Sequence, residues 1–88
     1  MIRRHVVVHG RVQGVFFRDT LRRQALARGV SGWARNRGDG TVEAVFEGEE
    51  EAVESLVELC REGPRSARVD RVDVTDEDPE GLVGFRIG

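Results

Sequence analysis

Val30-Ser31-Gly32-Trp33-Ala34-Arg35-Asn36-Arg37 and Thr41-Val42-Glu43-Ala44-Val45-Phe46-Glu47 flank Gly38-Asp39-Gly40 near the middle of the 88-residue chain, and this stretch decides the architecture. In its second half Val42, Ala44 and Phe46 alternate with Thr41, Glu43, Val45 and Glu47, the two-residue period of a strand with one buried face. A glycine-rich turn between two such runs makes a hairpin. Outward on both sides the period changes. Before the hairpin, Phe17, Leu21 and Ala25 fall on one helical face beside Leu26, and Gly29 stands where a helix C-cap belongs. After it, Glu49-Glu50-Glu51 open a second helix at its positive end, Val53, Leu56, Val57 and Cys60 form its apolar stripe, and Gly63-Pro64 end it. Farther out, residues 4–9 carry Val6-Val7-Val8 between His5 and His9 and read as a buried strand ending at Gly10. Val69–Val74 reads as a fourth strand, and Val83, Phe85 and Ile87 alternate in a short fifth.

The order is β-α-β-β-α-β with an added terminal strand. It predicts an α+β, ferredoxin-like sandwich in one domain over residues 1–88, with two helices on one face of a mostly antiparallel five-stranded sheet. A chain this short supports one core, and this arrangement buries both helical stripes against the same sheet face.

Composition narrows the function classes. Hydrophobic residues make up 39% and charged residues 34%, the balance of a soluble globular domain. No apolar run approaches the ~20 residues of a membrane span. Met1-Ile2-Arg3-Arg4-His5 leads into only three valines, too short for a signal-peptide core, so a cytoplasmic, membrane-free protein is expected. Cys60 is the only cysteine, which suits a reducing compartment and leaves neither an internal disulfide nor a zinc knuckle. The net charge is −2 and the chain has no lysine, unlike the strongly basic domains that bind nucleic acid non-specifically. A monomer is expected.

The chemistry lies in Gly10-Arg11-Val12-Gln13-Gly14-Val15-Phe16-Phe17-Arg18, between the first strand and the first helix. Two glycines allow backbone conformations that strain other residues. A turn of this kind running into a helix can aim several N–H groups into one concavity, and the helix dipole favours an anion there. Arg18, at the mouth of the helix, can add bidentate hydrogen bonds to phosphate oxygens. The loop is not a nucleotide P-loop, which needs a lysine, nor does it have the dinucleotide-binding glycine spacing. The rise of the elements that follow fixes which part of the chain returns to this loop. A helix of about 12 residues descends ~18 Å, and a strand from Val30 to Asn36 climbs back about 20 Å, returning Asn36 to the level of the loop.

Gly10–Arg18 closely resembles the first signature of the acylphosphatase family. Gly32-Trp33-Ala34-Arg35-Asn36-Arg37, with Asp39-Gly40-Thr41-Val42-Glu43, resembles the second, in the family's order and separation. The resemblance spans the chain and implies hydrolysis of small-molecule acyl phosphates without metal or cofactor. It implies that Arg18 binds the phosphate, that Asn36 orients the attacking water, and that backbone N–H groups of Gln13, Gly14, Val15, Phe16, Phe17 and Arg18 form the phosphate cradle. Two other readings compete. One is a non-catalytic phosphate- or anion-binding module of the same fold. The other is an RNA-binding domain, but the third strand offers one aromatic, Phe46, among glutamates, and the RNA-binding signature is absent.

Other conspicuous residues have plainer readings. Asp19 sits in the first turn of a helix, where the dipole favours an acid without any catalytic role. His5 and His9 share a strand face but lack a third ligand for a metal. Cys60 is expected as a small core hydrophobe, Trp33 as a core or support residue, and Asp76-Glu77-Asp78 as a solvated loop.

Overall fold

The computed structural model describes residues Met1–Gly88. The elements are β1 (Ile2–Arg11), α1 (Phe17–Ala27), β2 (Ser31–Asn36), β3 (Val42–Gly48), α2 (Glu50–Glu62), β4 (Arg68–Glu77) and β5 (Phe85–Ile87). They form one sheet in the order β4-β1-β3-β2-β5, with both helices on one face. The pairs β1–β3, β1–β4 and β2–β3 are antiparallel, whereas β2–β5 is parallel, so the sheet is mixed at one edge.

Alternation explains which face the helices cover. Val6 and Val8 of β1 and Val42, Ala44 and Phe46 of β3 point to one side and are fully buried. Phe17, Leu21 and Ala25 of α1 and Val53, Leu56, Val57 and Cys60 of α2 close over them in one cluster. Truncating a residue such as Leu21 or Leu56 to Ala costs about 2–5 kcal/mol by the usual core penalty. Helix α1 ends as its glycine predicts. Val30 N–H donates to the Ala25 carbonyl at 2.9 Å and Gly29 N–H to that of Leu26 at 3.3 Å, a Schellman motif with Gly29 at φ 67°.

Three boundaries and one side-chain placement differ from the reading of the residues, each for a tertiary reason. Strand β1 does not end at Gly10; it continues to Arg11 because it pairs with β4 beyond a bulge at His9/Gly10. Only glycine fits there, since a Cβ on Gly10 would stand 2.1 Å from the Arg68 carbonyl oxygen. Strand β4 runs to Glu77, so Asp76 and Glu77 are strand residues rather than a solvated loop. They pair with the basic start of β1, Arg4 to Asp76 at 3.0 Å and Arg3 to Glu77 at 2.7 Å. Val83, 91% exposed, lies outside β5, which starts at Phe85 and stacks on Phe46 at 6.0 Å between ring centroids. Trp33 is not in the core; it lies half-buried on the open sheet face with the Arg35 guanidinium 5.6 Å from its ring centroid.

That open face is built from ion pairs. Glu47 is only 2% exposed: its carboxylate takes Arg3 at 2.7 Å and the N–H groups of Glu80, Gly81 and Leu82 at 2.8–3.1 Å. Burial pushes the Glu47 carboxyl up, but these donors outweigh it and hold it below the ordinary glutamate range. One carboxylate therefore clamps the whole approach to β5.

Candidate active site

The segment between β1 and α1 is pinned and turned by alternating residues. Val12 and Val15 are buried in the core and hold the loop down. Between and after them, Gly14 takes φ 72° and Phe16 takes φ 61°, ψ 23°, both left-handed. For a bulky residue such as Phe16 this conformation costs about 1–3 kcal/mol. No side chain caps α1. The backbone N–H groups from Gln13 to Asp19 donate to no other group of the protein, so a row of donors is left unspent at the positive end of the helix.

The second loop is tied to the first by Gln13. Its Nε2 donates to the carbonyl oxygens of Arg37 at 2.7 Å and Thr41 at 2.9 Å, bridging to the β2–β3 turn. Asp39 holds that turn from within, accepting from Thr41 Oγ1 at 2.6 Å and Thr41 N–H at 3.0 Å. The Thr41 hydroxyl and then its N–H keep the Asp39 carboxyl below the usual aspartate range. Asn36, the last residue of β2, is thereby set beside the start of α1.

Gly14, Phe16, Phe17, Arg18 and Asn36 line one cavity of about 270 Å³, with Val12, Asp19 and Ile87 completing its wall. The Arg18 guanidinium donates to the backbone oxygen of Gly88, which is itself held by its N–H to the Ala34 carbonyl at 2.9 Å. Asp19 is engaged by Arg23 at 3.1 Å, an ordinary pair four residues along the helix. Of the residues expected at the site, Gln13 and Val15 do not line the cavity: one reaches to the hairpin and the other into the core. Val12 and Ile87 were not foreseen, and the pairing of β5 with β2 is what brings Ile87 there.

Other groups have no part in this cavity. Glu43 accepts from His5 at 2.7 Å and Arg35 at 2.6 Å; burial raises its pKa, and the two partners more than reverse that. His9 pairs with Asp73 at 2.9 Å. No group of three or more His, Cys, Asp and Glu side chains gathers with metal-binding geometry. Burial pushes the Cys60 thiol up to about 12, so it stays protonated and non-nucleophilic at neutral pH. A wider depression of about 840 Å³ lies along α2, but Glu50, Glu51, Glu54, Glu58 and Glu62 line it and repel a phosphate.

The family model described as Acylphosphatase matches residues 4–87. The chain belongs to the acylphosphatase family. An acylphosphatase of Pelotomaculum thermopropionicum is 58% identical, over 97% of this chain and 94% of its own length. The crystal structure of the Bacillus subtilis acylphosphatase superposes with a TM-score of 0.95 at 39% identity, covering 100% of this chain and 99% of the other. The chain also matches a small part of a larger protein, HypF of T. kodakarensis, at 37% identity and TM-score 0.81, over 99% of this chain but 12% of that one. The free-standing relatives match along nearly their whole length, and the activity of this acylphosphatase is the hydrolysis of acyl phosphates. No helix is long and apolar enough to cross a membrane.

Proposed function

We propose that this acylphosphatase hydrolyses its substrate by direct in-line attack of water on phosphorus, with no metal and no covalent intermediate. The phosphate sits at the start of α1, where N–H groups from Gln13 to Arg18 surround it and Arg18 adds its guanidinium. Asn36 holds the water opposite the leaving oxygen. The water oxygen bonds to phosphorus, the bond from phosphorus to the acyl oxygen breaks, and the acyl group leaves as a carboxylate. The water proton passes to a phosphate oxygen. A carboxylate is a good leaving group, so no strong general acid is required, and positioning plus charge stabilisation carries the rate. A monomer belongs to the same reading, and the lone thiol of Cys60 suits the cytoplasm. The net charge of −2 supports a small-molecule substrate over nucleic acid.

The observation that carries this reading is the meeting of Arg18 and Asn36 on one small cavity beside unspent backbone donors. Its test is benzoyl phosphate hydrolysis in EDTA. Arg18→Gln and Asn36→Ala, each folded by circular dichroism, are expected to lose about 10²–10³-fold in kcat, the usual loss when one transition-state donor is removed. Activity that vanishes in EDTA and returns with a divalent ion overturns the metal-free mechanism. Turnover retained within a few-fold in either variant overturns that residue's role.

A further inference from the structure

We infer that Glu47, latched to Arg3, is a positioning residue: through the strap of residues 78–84 and strand β5 it sets the Arg18 guanidinium from the far end of the sheet. The inference rests on the phosphate role proposed for Arg18 above and extends it to what holds that side chain.

The strap joins the two edges of the sheet. Strand β4 lies at one edge and β5 at the other, so residues 78–84 cross the open face over β1, β3 and β2. Four strand spacings of ~4.8 Å make about 19 Å. The eight steps from Glu77 to Phe85 reach roughly 26–29 Å when fully extended. They must also climb over the side chains of the face, so the strap has little slack. None of its residues belongs to the core cluster, and Val83 is 91% exposed.

Its grip on the sheet is therefore polar, and it falls on one point. The N–H groups of Glu80, Gly81 and Leu82 converge on the Glu47 carboxylate at 2.8–3.1 Å, and the Glu80 carboxylate lies 3.6 Å from the Arg3 guanidinium. No backbone–backbone hydrogen bond ties residues 78–83 to the sheet. Beyond the strap, β5 has only three residues, paired in parallel with Gly32, Trp33 and Ala34. Gly88 follows it, and its oxygen is the one acceptor that the Arg18 guanidinium has in the protein. A strap that slips moves β5, Gly88 and Arg18 in turn.

Glu47 works from a distance. It stands opposite Ser31, and Asn36 is five residues farther along β2, about 16 Å. A buried ion pair adds little stability over an apolar pair of the same size, so stability alone does not account for these charges. Holding the strap in one place does.

The test is a double-mutant cycle on kcat/KM for benzoyl phosphate. Glu47→Gln is expected to lower it about tenfold, within the loss of up to 10²-fold that a misplacement of ~1 Å causes. In the Arg18→Gln background the same change is expected to cost less than twofold, because the group it positions is gone. Independent sites this far apart add, so a general loosening of the fold costs the same factor in both backgrounds. A buried charge left unpaired can prevent folding, so Arg3→Met with Glu47→Leu runs alongside. It removes both charges and still deprives the strap of its acceptor. Equal losses in the two backgrounds, or a loss under twofold beside an intact Arg18, overturn the latch alone. Failure of both forms to fold, by circular dichroism, overturns it too, since the pair then serves the whole fold. Wild-type turnover in Arg18→Gln itself strikes down the phosphate role of Arg18, and the latch with it.

Discussion

Helix α2 begins at Glu50 after an ordinary extended Glu49, with Glu50 and Glu51 in its first turn. Helix α1 begins at Phe17 after a left-handed Phe16, with Arg18 beside Asp19 in its first turn. Neither has a side-chain cap, so both leave several N–H groups to find partners elsewhere. At α2 two exposed carboxylates stand where the dipole is positive, each contributing about 0.3–1 kcal/mol. At α1 a guanidinium opposes the same dipole, and the preceding residue holds a conformation costing roughly 1–3 kcal/mol. In a domain of this size, whose net stability is of the order of 5–15 kcal/mol, that is a substantial sacrifice at one helix end. The difference teaches what each terminus is for. At α2 the helix's own first-turn carboxylates answer the dipole, and in the proposed mechanism the substrate phosphate does so at α1.

The sharpest way to break this comparison is to give α1 the first-turn charge of α2. In the proposed mechanism, Arg18→Glu removes the cation that faces the substrate and puts an anion beside the phosphate. Turnover of benzoyl phosphate is expected to fall by at least ~10³-fold, more than for a single lost donor. Stability by urea titration is expected to hold within about 1 kcal/mol, because the dipole now favours the side chain while the bond to Gly88 is lost. A loss of stability well beyond that, with the fold disrupted, makes Arg18 a structural residue and removes the contrast between the helices.

A second test separates the loop from the hairpin that serves it. In the proposed mechanism Gln13 serves as a positioning residue, since its amide joins the α1 loop to the Arg37 and Thr41 carbonyls of the turn that follows Asn36. In Gln13→Leu the two carbonyls keep their backbone donors, Gly40 N–H at 3.2 Å and Arg37 N–H at 2.9 Å, so stability drops only by about 1 kcal/mol. Catalysis is more sensitive, since a displacement of ~1 Å can cost up to 10²-fold. We expect kcat to fall about tenfold with KM changed less than threefold, as suits a misplaced Asn36 beside an intact cradle. A rise in KM at constant kcat assigns Gln13 to the phosphate site itself.

How far the residues foretold this arrangement depends on the range of the interactions. The hairpin at Gly38-Asp39-Gly40 and the stripes Phe17-Leu21-Ala25 and Val53-Leu56-Val57-Cys60 were legible because period and turn chemistry are local. That Arg18 and Asn36 come to one cavity was legible too, because the rise of helix and strand placed them at one level. The ends of β1 and β4 were not, because Asp76 and Glu77 read as a solvated loop until β4 is laid beside β1. Glu47 was hidden for the same reason. An acid on the alternate face of a strand reads as exposed, and only the loop at residues 80–82 covering it makes it a clamp. Ile87 at the cavity and the left-handed backbone of Phe16 likewise depend on tertiary placement. Local pattern yields the frame and the charged chemistry; the apolar half of the site emerges only from the assembled sheet.

The smallest effect lies at the other helix. Glu50 and Glu51 belong to α2, away from the cavity, and both are exposed. Glu50→Gln with Glu51→Gln removes two favourable charge–dipole interactions and leaves the amides able to accept hydrogen bonds. The double variant is expected to lose about 0.5–1 kcal/mol in low salt, toward the lower end for two exposed groups. Most of that loss should disappear near 1 M salt, where the screening length shrinks to about 3 Å. Turnover of benzoyl phosphate should stay at the wild-type value throughout. The pair of measurements sharpens the contrast: charge at the start of α2 moves stability alone, and charge at the start of α1 moves activity with little stability. A drop in turnover for the α2 variant would show that the acidic face reaches the site, and the two helix ends would then be one electrostatic unit.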